Sequence, residues 1–478
     1  MPEQIQYAGQ FQIELAEILS SSGKSVGIEP NLMSITLYED IDRPWIEGEC
    51  LLHNQAALSS ITPLMGQEYF RLILKTPTLP GKIESTIDYS ENVFFVYNVG
   101  KLNVGTGTET VTFSFISGEA IKNRRVLISE KLEGSCDAIV NQMLDRVGCL
   151  KERWIEPSSG NKKIIAPNIT PFEVISKMEK QAITNEPISS PNFLFWESFR
   201  GYHFRSLDSC FSRTPSWFYN VKPDSGSWTP AAGTESIMEN LETILTYGMS
   251  NNNQMEDQMA GMLNSNLIVH DITKKSYTKH GYNYFNEFPQ TNTTVNQPAS
   301  FPVYSRTPVV EEGGGIADIG STPMLMPNAT LPFGAAGRDS QHLSENGLSS
   351  YEPYSPQKWS QRRQSHMHQM YGTLGLNMMV HGNTVISCGD MVEVNIPHHA
   401  ELKATDGPKL DRINSGRYFI RRIEHTFTLA SYTHEMNMTL YKNGLTKELE
   451  EVEDAYEPTP DNVGNIYNRF YDESNSGW

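Results

Sequence analysis

The chain has no stretch of about 20 mostly apolar residues, so no helix of it is expected to span a bilayer. Its cysteines are few and scattered. Cys50, Cys136, Cys149, Cys210 and Cys388 are odd in number and never form a CxxC pair, which argues against a disulfide framework or a cysteine zinc site and fits a reducing compartment. Basic residues are in deficit: 38 Lys and Arg face 56 Asp and Glu, and the net charge of -18 opposes attraction to phosphates. Nucleic acid is therefore not expected as a specific ligand, although an acidic wall could line a passage to which DNA does not stick. The opening MPEQIQYAGQFQIEL has no basic region followed by an apolar stretch, which predicts a protein made and used without Sec export.

Catalytic signatures are missing as well. There is no HExxH, which removes the usual sequence support for a zinc protease. Gly105-Thr106-Gly107 and Gly313-Gly314-Gly315 are not followed by GK[ST] or by a spaced third glycine, so they read as turns rather than phosphate cradles. His366 and His368, the adjacent His398 and His399, and His425 and His434 lack the three or four convergent ligands that zinc needs, and read as solvated or core residues. Glu39-Asp40 could serve glycosidase chemistry only with a second carboxylate at a set distance across a cleft. Arg362-Arg363 and Arg421-Arg422 are too isolated for a nucleic-acid patch, and ion pairing is their default role.

What is present is globular material of ordinary composition, 38% hydrophobic and 20% charged over 478 residues. That length predicts roughly two to four domains. The first ~130 residues alternate with period two: Met33, Ile35 and Leu37 on one face, then Phe70, Leu72 and Leu74, then Val111, Phe113 and Phe115. Such spacing predicts an antiparallel sandwich or barrel. Two helices follow. Ser135 opens a segment with Ile139, Val140, Met143, Leu144 and Val147 on one face and Gly148 at its end. Thr170-Pro171-Phe172-Glu173 is a capping box with proline at the first helical position, preceding a stripe of Val174, Ile175 and Met178.

Next, NFLFWESFRGYHFRSLDSCF reads as two aromatic strands around an Arg200-Gly201 turn. Helices are expected near Ile237–Leu245 and Met255–Leu263, and LIVHDITKKSYTKHGYNYF reads as a strand or hairpin. Residues 286–360 hold a third of the chain's 27 prolines and read as a surface insertion. Alternation returns in Leu374, Leu376, Met378 and Val380, and in Val392, Val394 and Ile396. It continues in Phe419, Arg421, Ile423, His425 and Phe427, and in Tyr432, His434, Met436, Met438 and Leu440. This is a second β unit. From Lys447 the chain is acidic and aperiodic, yet it carries Tyr456, Tyr467, Phe470, Tyr471 and Trp478. Disordered acidic tails normally have few aromatics, so these five are candidate anchors for docking on a partner surface or on the chain's own.

Three stretches, in order, carry a resemblance to a known family. They are TPFEVISKMEKQA followed by NFLFWESFRGYHFRSLD; LIVHDITKKSYTKHGYNY; and LGLNMMVHGNTVISCGDMVEVNIP with SGRYFIRRIEHTFT and YTHEMNMTLYKNG. Together they resemble the central baseplate hub of contractile-tailed phages, which is related to the N-terminal part of VgrG-type spike proteins. The resemblance implies a mainly β fold with smaller α+β parts, in which two tail-tube-like antiparallel β-barrels carry inserted domains. It places a first barrel at 1–132, an α+β part at 133–262, a second barrel at 263–285 with 361–446, the insertion at 286–360 and the tail at 447–478.

It further implies a non-enzymatic homotrimer without cofactor or metal. Its partners would be the central spike, tube or tube-initiator proteins and other baseplate proteins, with DNA only in passage through the lumen and no membrane contact. Such a protein would be assembled in the host cytoplasm and reside in the virion's tail baseplate. Six barrels in a ring can abut a sixfold tube while three chains grip a threefold spike. A hub from a tailocin or another contractile injection system is the near alternative. A tail-associated cell-wall hydrolase and a glycan-binding module are alternatives of other classes.

Overall fold

The computed structural model describes residues 4–20, 23–54, 64–79, 83–104, 108–185, 190–221, 234–249, 259–271, 275–284, 324–327, 355–372, 375–397, 410–411 and 414–442. The first β unit contains seven strands: β1 (Gln12–Leu19), β2 (Ser25–Gly27), β3 (Leu32–Asp40), β4 (Glu47–Asn54), β5 (Tyr69–Leu79), β6 (Ile83–Val104) and β7 (Thr108–Ser117). They pair in the order β3-β4-β7-β6-β5-β1-β2, all antiparallel. The long β6 serves two partners, β5 up to Phe95 and β7 from Phe94 onward.

Period-two alternation turns Phe70, Leu72, Leu74, Phe113 and Phe115 into one core. Phe70 lies 5.4 Å from Phe113 and 4.9 Å from Phe115 in tilted or edge-on contact, the geometry that aromatic quadrupoles favour. In β3 the expected face is displaced by one residue at its start. A bulge between Leu32 and Ser34 buries Leu32 and leaves Met33 43% exposed, while Ile35 and Leu37 point inward as expected.

An α+β part follows: α1 (Gly118–Arg125), β8 (Lys131–Gly134), α2 (Cys136–Val147), β9 (Arg153–Ile155), β10 (Lys162–Ile165), α3 (Pro171–Gln181), β11 (Phe193–Ser198), β12 (Gly201–Ser206) and α4 (Leu207–Phe211). Helix α2 ends on Gly148 at φ 69°, whose N–H donates to the Asp145 carbonyl. The Thr170 N–H donates to Glu173 Oε2 at 2.7 Å and closes the capping box of α3. The stripes of both helices pack together with Phe193, Phe195, Tyr202 and Phe204 into a separate core.

The remaining elements are β13 (Trp217–Asn220), α5 (Thr234–Leu241), β14 (Ile244–Met249), β15 (Asn264–Asp271), β16 (Ser276–Asn283), β17 (Met324–Pro327), α6 (Ser360–Gly372), β18 (Gly375–His381), β19 (Met391–Asn395), β20 (Gly416–Thr428) and β21 (Thr433–Tyr441). Strands β14-β18-β21-β20-β19-β13 form the second β unit around its own core. One isolated bridge, Asn220 to Thr243, brings the two ends of this run together, and among the described residues no strand ladder closes it.

Several expectations need correction. Helix α5 stops at Leu241, and Ile244 begins a strand, because Ile244 and Tyr247 pack on the second core. Strands β13 and β14 pair with β19 and β18, so residues grouped with the α+β part belong to the second unit's sheet. Strands β15 and β16, expected in the second barrel, instead form a separate three-stranded sheet with β17. The four residues of β17 come from the proline-rich insertion, whose residues 286–323 and 328–354 lie outside the described residues, as do Leu374, Met255 and the glycine runs at 105–107 and 313–315.

The two β units are joined. Strand β20 pairs with β19 through Gly416–Phe419 and, after a bulge between Ile420 and Arg422, with β3 from Arg422↔Asp40 to Thr428↔Ser34. The bulge reverses the local alternation. Ile420 and Ile423 therefore enter the second core and Phe427 the first, while Arg421 leaves the buried face expected for it. The result is one mainly antiparallel thirteen-stranded sheet with two cores, and not two closed barrels among the described residues.

Candidate functional site

The β11–β12 hairpin is where the α+β part meets both β units. All six residues of β11 are buried, and its two faces have different partners. Phe193 and Phe195 face the α2–α3 core, whereas Leu194 and Trp196 pack with Met391, Phe419 and Tyr441 of the second unit. The turn is Phe199-Arg200, since Ser198 pairs with Gly201, one residue earlier than the sequence suggests. Gly201 is required where it stands. Its φ is +129°, and a Cβ there would lie 2.2 Å from the Glu152 carbonyl oxygen.

The hairpin tip is held by charged groups from both β units. The Arg200 guanidinium grips Asp390 in a two-pronged pair, Nη1 to Oδ1 at 2.8 Å and Nη2 to Oδ2 at 2.7 Å, and also donates to the Val385 carbonyl. Glu39 on β3 is fully buried and accepts from the Phe199 N–H at 2.8 Å, the Ser387 hydroxyl at 2.7 Å and the Cys388 N–H at 2.9 Å. Burial raises the Cys388 thiol well above its ordinary pKa, and Glu39 adds to that rise. On the other side of the tip, Lys151 Nζ reaches Glu119 Oε2 at 2.7 Å and Glu197 Oε1 at 2.5 Å, all three side chains being buried.

Burial by itself would depress the Lys151 pKa, but Glu197 and Glu119 reverse that and hold the ammonium charged above its ordinary value. Burial raises the Glu197 pKa, with Lys151 opposing and Glu119 reinforcing the rise. Tyr89 of β6 lies beneath Lys151, its ring centroid 5.1 Å from Nζ, and its hydroxyl donates to Glu197. Desolvated ion clusters of this kind add little net stability, but removing one member costs about 3–5 kcal/mol, which makes them exacting about geometry. Sequence reasoning missed the cluster because its members lie 32 and 46 positions apart and no local pattern marks them.

The other candidate side chains are structural where they are described. Ser198 Oγ and His203 Nε2 are 2.8 Å apart, but both residues are buried and His203 lies against Trp196. Burial, reinforced by Arg205 and Arg200, pushes the His203 pKa down to about 3, too low for a general base that must take up a proton at neutral pH. His366 is also buried, with its pKa pushed down to about 3 by burial and Arg362, and it meets Asn192 at 2.5 Å. His425 and His434 stand 3.1 Å apart inside β20 and β21, and burial holds His434 well below the ordinary histidine range.

Asp40 accepts two bonds from Arg422, Arg363 pairs with Glu179 at 2.7 Å, and Arg421 stacks on Tyr371. Among the described residues no three His, Cys, Asp or Glu side chains are placed to hold a metal, and no helix is long and apolar enough to cross a membrane. His398, His399 and the tail residues Tyr456, Tyr467, Phe470, Tyr471 and Trp478 lie outside the described residues, so the structure brings none of them to a site. What the site does chemically is hold rather than react. It locks the α+β part to both β units through engaged polar groups, buried at Glu39 and in the Lys151 cluster and exposed at Arg200.

No protein-family model and no curated protein matches the chain. Solved structures similar to it include the 43 kDa tail protein of prophage MuSo2 from Shewanella oneidensis, at 9% identity over 90% of this chain and 98% of that one, with a TM-score of 0.48. A tail protein from Neisseria meningitidis MC58 is similar at 9% identity over 90% and 96% of the two chains, also with a TM-score of 0.48. The PdpA–VgrG complex of Francisella is similar at 9% identity over 94% of this chain and 60% of that one, with a TM-score of 0.43. These solved structures are a prophage tail protein, a tail protein and a VgrG complex.

Proposed function

We propose that the chain is a structural baseplate hub of a contractile tail, with a mechanical role and no catalysis of its own. Three copies would form a ring that adapts a sixfold tube to a threefold central spike, leaving a channel through which DNA passes. The observation that carries this reading is the fusion of two β units by the β3–β20 ladder, with the β11–β12 hairpin clamped between them. Such a joint fixes the two units of one chain against each other. Three copies then present six rigid β units to a tube, and the threefold axis remains available to a spike.

The same account covers a hub of a tailocin or another contractile injection system, because tube and spike impose the same symmetry problem. A cell-wall hydrolase would need a pair of free carboxylates across an open cleft. Two carboxylates do line the hollow between β4 and α3, but each is engaged locally. Glu47 accepts from Arg43 and from the Trp45 indole, and Glu173 closes the α3 capping box. The reading is tested by the mass of the purified protein in solution, alone and co-expressed with its spike. A trimer in either preparation supports it, and a monomer in both refutes it.

A further inference from the structure

The hollow that the hydrolase reading leaves unused has the lining of a docking groove. It encloses about 540 Å³ between the first β unit and helices α1 and α3, and Trp45, Tyr97, Ile116, Ile121, Phe172 and Arg124 line it. Tyr97 is half exposed at its edge. With Glu47 and Glu173 already bound within their own segments, the uncommitted charge at the groove is positive. Arg124 and the adjacent Arg125 are exposed in the last turn of α1 and have no ion-pair partner among the described residues. In a chain of net charge -18, an apolar groove lined by Arg124, with the exposed Arg125 next to it in sequence, calls for an occupant that is both acidic and aromatic. The plain alternative is that the arginines only complement the helix dipole, which would need no groove.

We propose that this groove receives an aromatic side chain from the C-terminal segment of a second copy of the chain. Residues 447–478 carry nine acidic and two basic residues together with five aromatics, and Tyr456 stands among Glu453, Asp454 and Glu457. An aromatic ring fills the apolar lining while the flanking carboxylates pair with Arg124 and Arg125. The 36 residues after Lys442 can extend up to about 120 Å, so the distance to a neighbouring copy is no obstacle. The inference rests on the ring proposed above in requiring copies side by side.

The test places a photo-cross-linking phenylalanine analogue at position 97 of the full chain and mixes isotopically heavy and light copies before irradiation. Mass spectrometry should find position 97 joined to a peptide from 447–478 of the opposite isotope. Arg124→Glu, an exposed change that leaves the fold intact, should cut the yield by roughly tenfold, the loss of about one charge pair plus the repulsion it introduces. In a second measurement, a fluorescent synthetic peptide of residues 447–478 should bind the full chain saturably, with affinity weakened about as much by Arg124→Glu. Cross-links only within one isotope, cross-links only to other proteins, or yield and affinity indifferent to Arg124→Glu would each overturn the proposal. A trimer by mass without the cross-link would refute the docking and spare the ring, whereas peptide binding by a persistent monomer would refute the ring and confirm the groove's chemistry.

Discussion

Acidification should loosen this protein well before its carboxylates are neutralised, and buried histidines set the size of the effect. His203 and His366 are held neutral, with pKa values near 3, and burial lowers His434 in the same direction. In the unfolded chain each would titrate near its ordinary value of about 6.5. A histidine whose folded pKa is depressed contributes stability that is fully present above the unfolded pKa. That stability is lost as pH falls through the interval down to the folded pKa. At pH 5 the loss is about 2 kcal/mol for each of His203 and His366, so about 4 kcal/mol for the two, a large part of a typical 5–15 kcal/mol. Glu179 and Glu197 act oppositely. Their folded pKa values are raised by burial, so protonation on acidification relieves a cost they carry at neutral pH.

The histidine contribution is isolated by His366→Gln, which keeps a polar group facing Asn192 and removes the titration. Urea unfolding at pH 7, 6 and 5, followed by fluorescence of the buried Trp196, reads the slope of stability against pH. The variant should flatten that slope by about 1.2 kcal/mol per pH unit between pH 6 and 5. An unchanged slope would show that His366 is not held neutral in the folded protein, and the burial argument for it would fail.

Lys151→Met should lower stability by about 3–5 kcal/mol, because two buried carboxylates lose their shared cation; a melting temperature unchanged from wild type would contradict the cluster's role. Gly201→Ala should cost about 1–3 kcal/mol from backbone strain alone, with the contact to the Glu152 carbonyl adding to it. Gly248→Ala, where a Cβ would meet nothing within 4 Å, is the matched control and should be tolerated in the same thermal melt. Replacing residues 290–350 by a short Gly/Ser linker removes β17 but no strand of the thirteen-stranded sheet, so soluble protein with both large cores should survive, as read by circular dichroism. Deleting Tyr456–Trp478 should reduce incorporation of neighbouring subunits into particles, measured by particle composition, while leaving the monomer's melting curve in place.

Local patterns were legible and long-range partnerships were not. The α3 capping box and the Gly148 stop on α2 are encoded within a few residues of each other, so both helices sit where their sequences place them. The alternation of Phe70, Leu72 and Leu74 survives because the pairing irregularity between Phe70 and Leu72 places its extra residues on β6, where Phe94 and Tyr89 are their partners, and leaves β5 itself in step. Met33 and Arg421 defeated the same rule because bulges beside them shift the face by one residue, and a bulge leaves no trace in residue type. Helix α6 was not foreseen. Its sequence, SQRRQSHMHQMYG, is polar, yet Gln361, Ser365 and His366 are buried by bonds to the Ser265 and Met262 carbonyls and to Asn192. The site was legible only as an aromatic hairpin. Which charges clamp its tip depends on Glu39 meeting Cys388 across 349 positions, a partnership set by the β3–β20 ladder.

The central claim is that this chain works as a ring of copies, and light scattering at low and high concentration, with and without the co-expressed spike, tests it most directly. The account expects a mass three times that of the 53.9 kDa chain in at least one of these preparations, with a central hole on imaging. A single-chain mass in all of them would contradict it and return attention to a substrate screen for cell-wall hydrolysis.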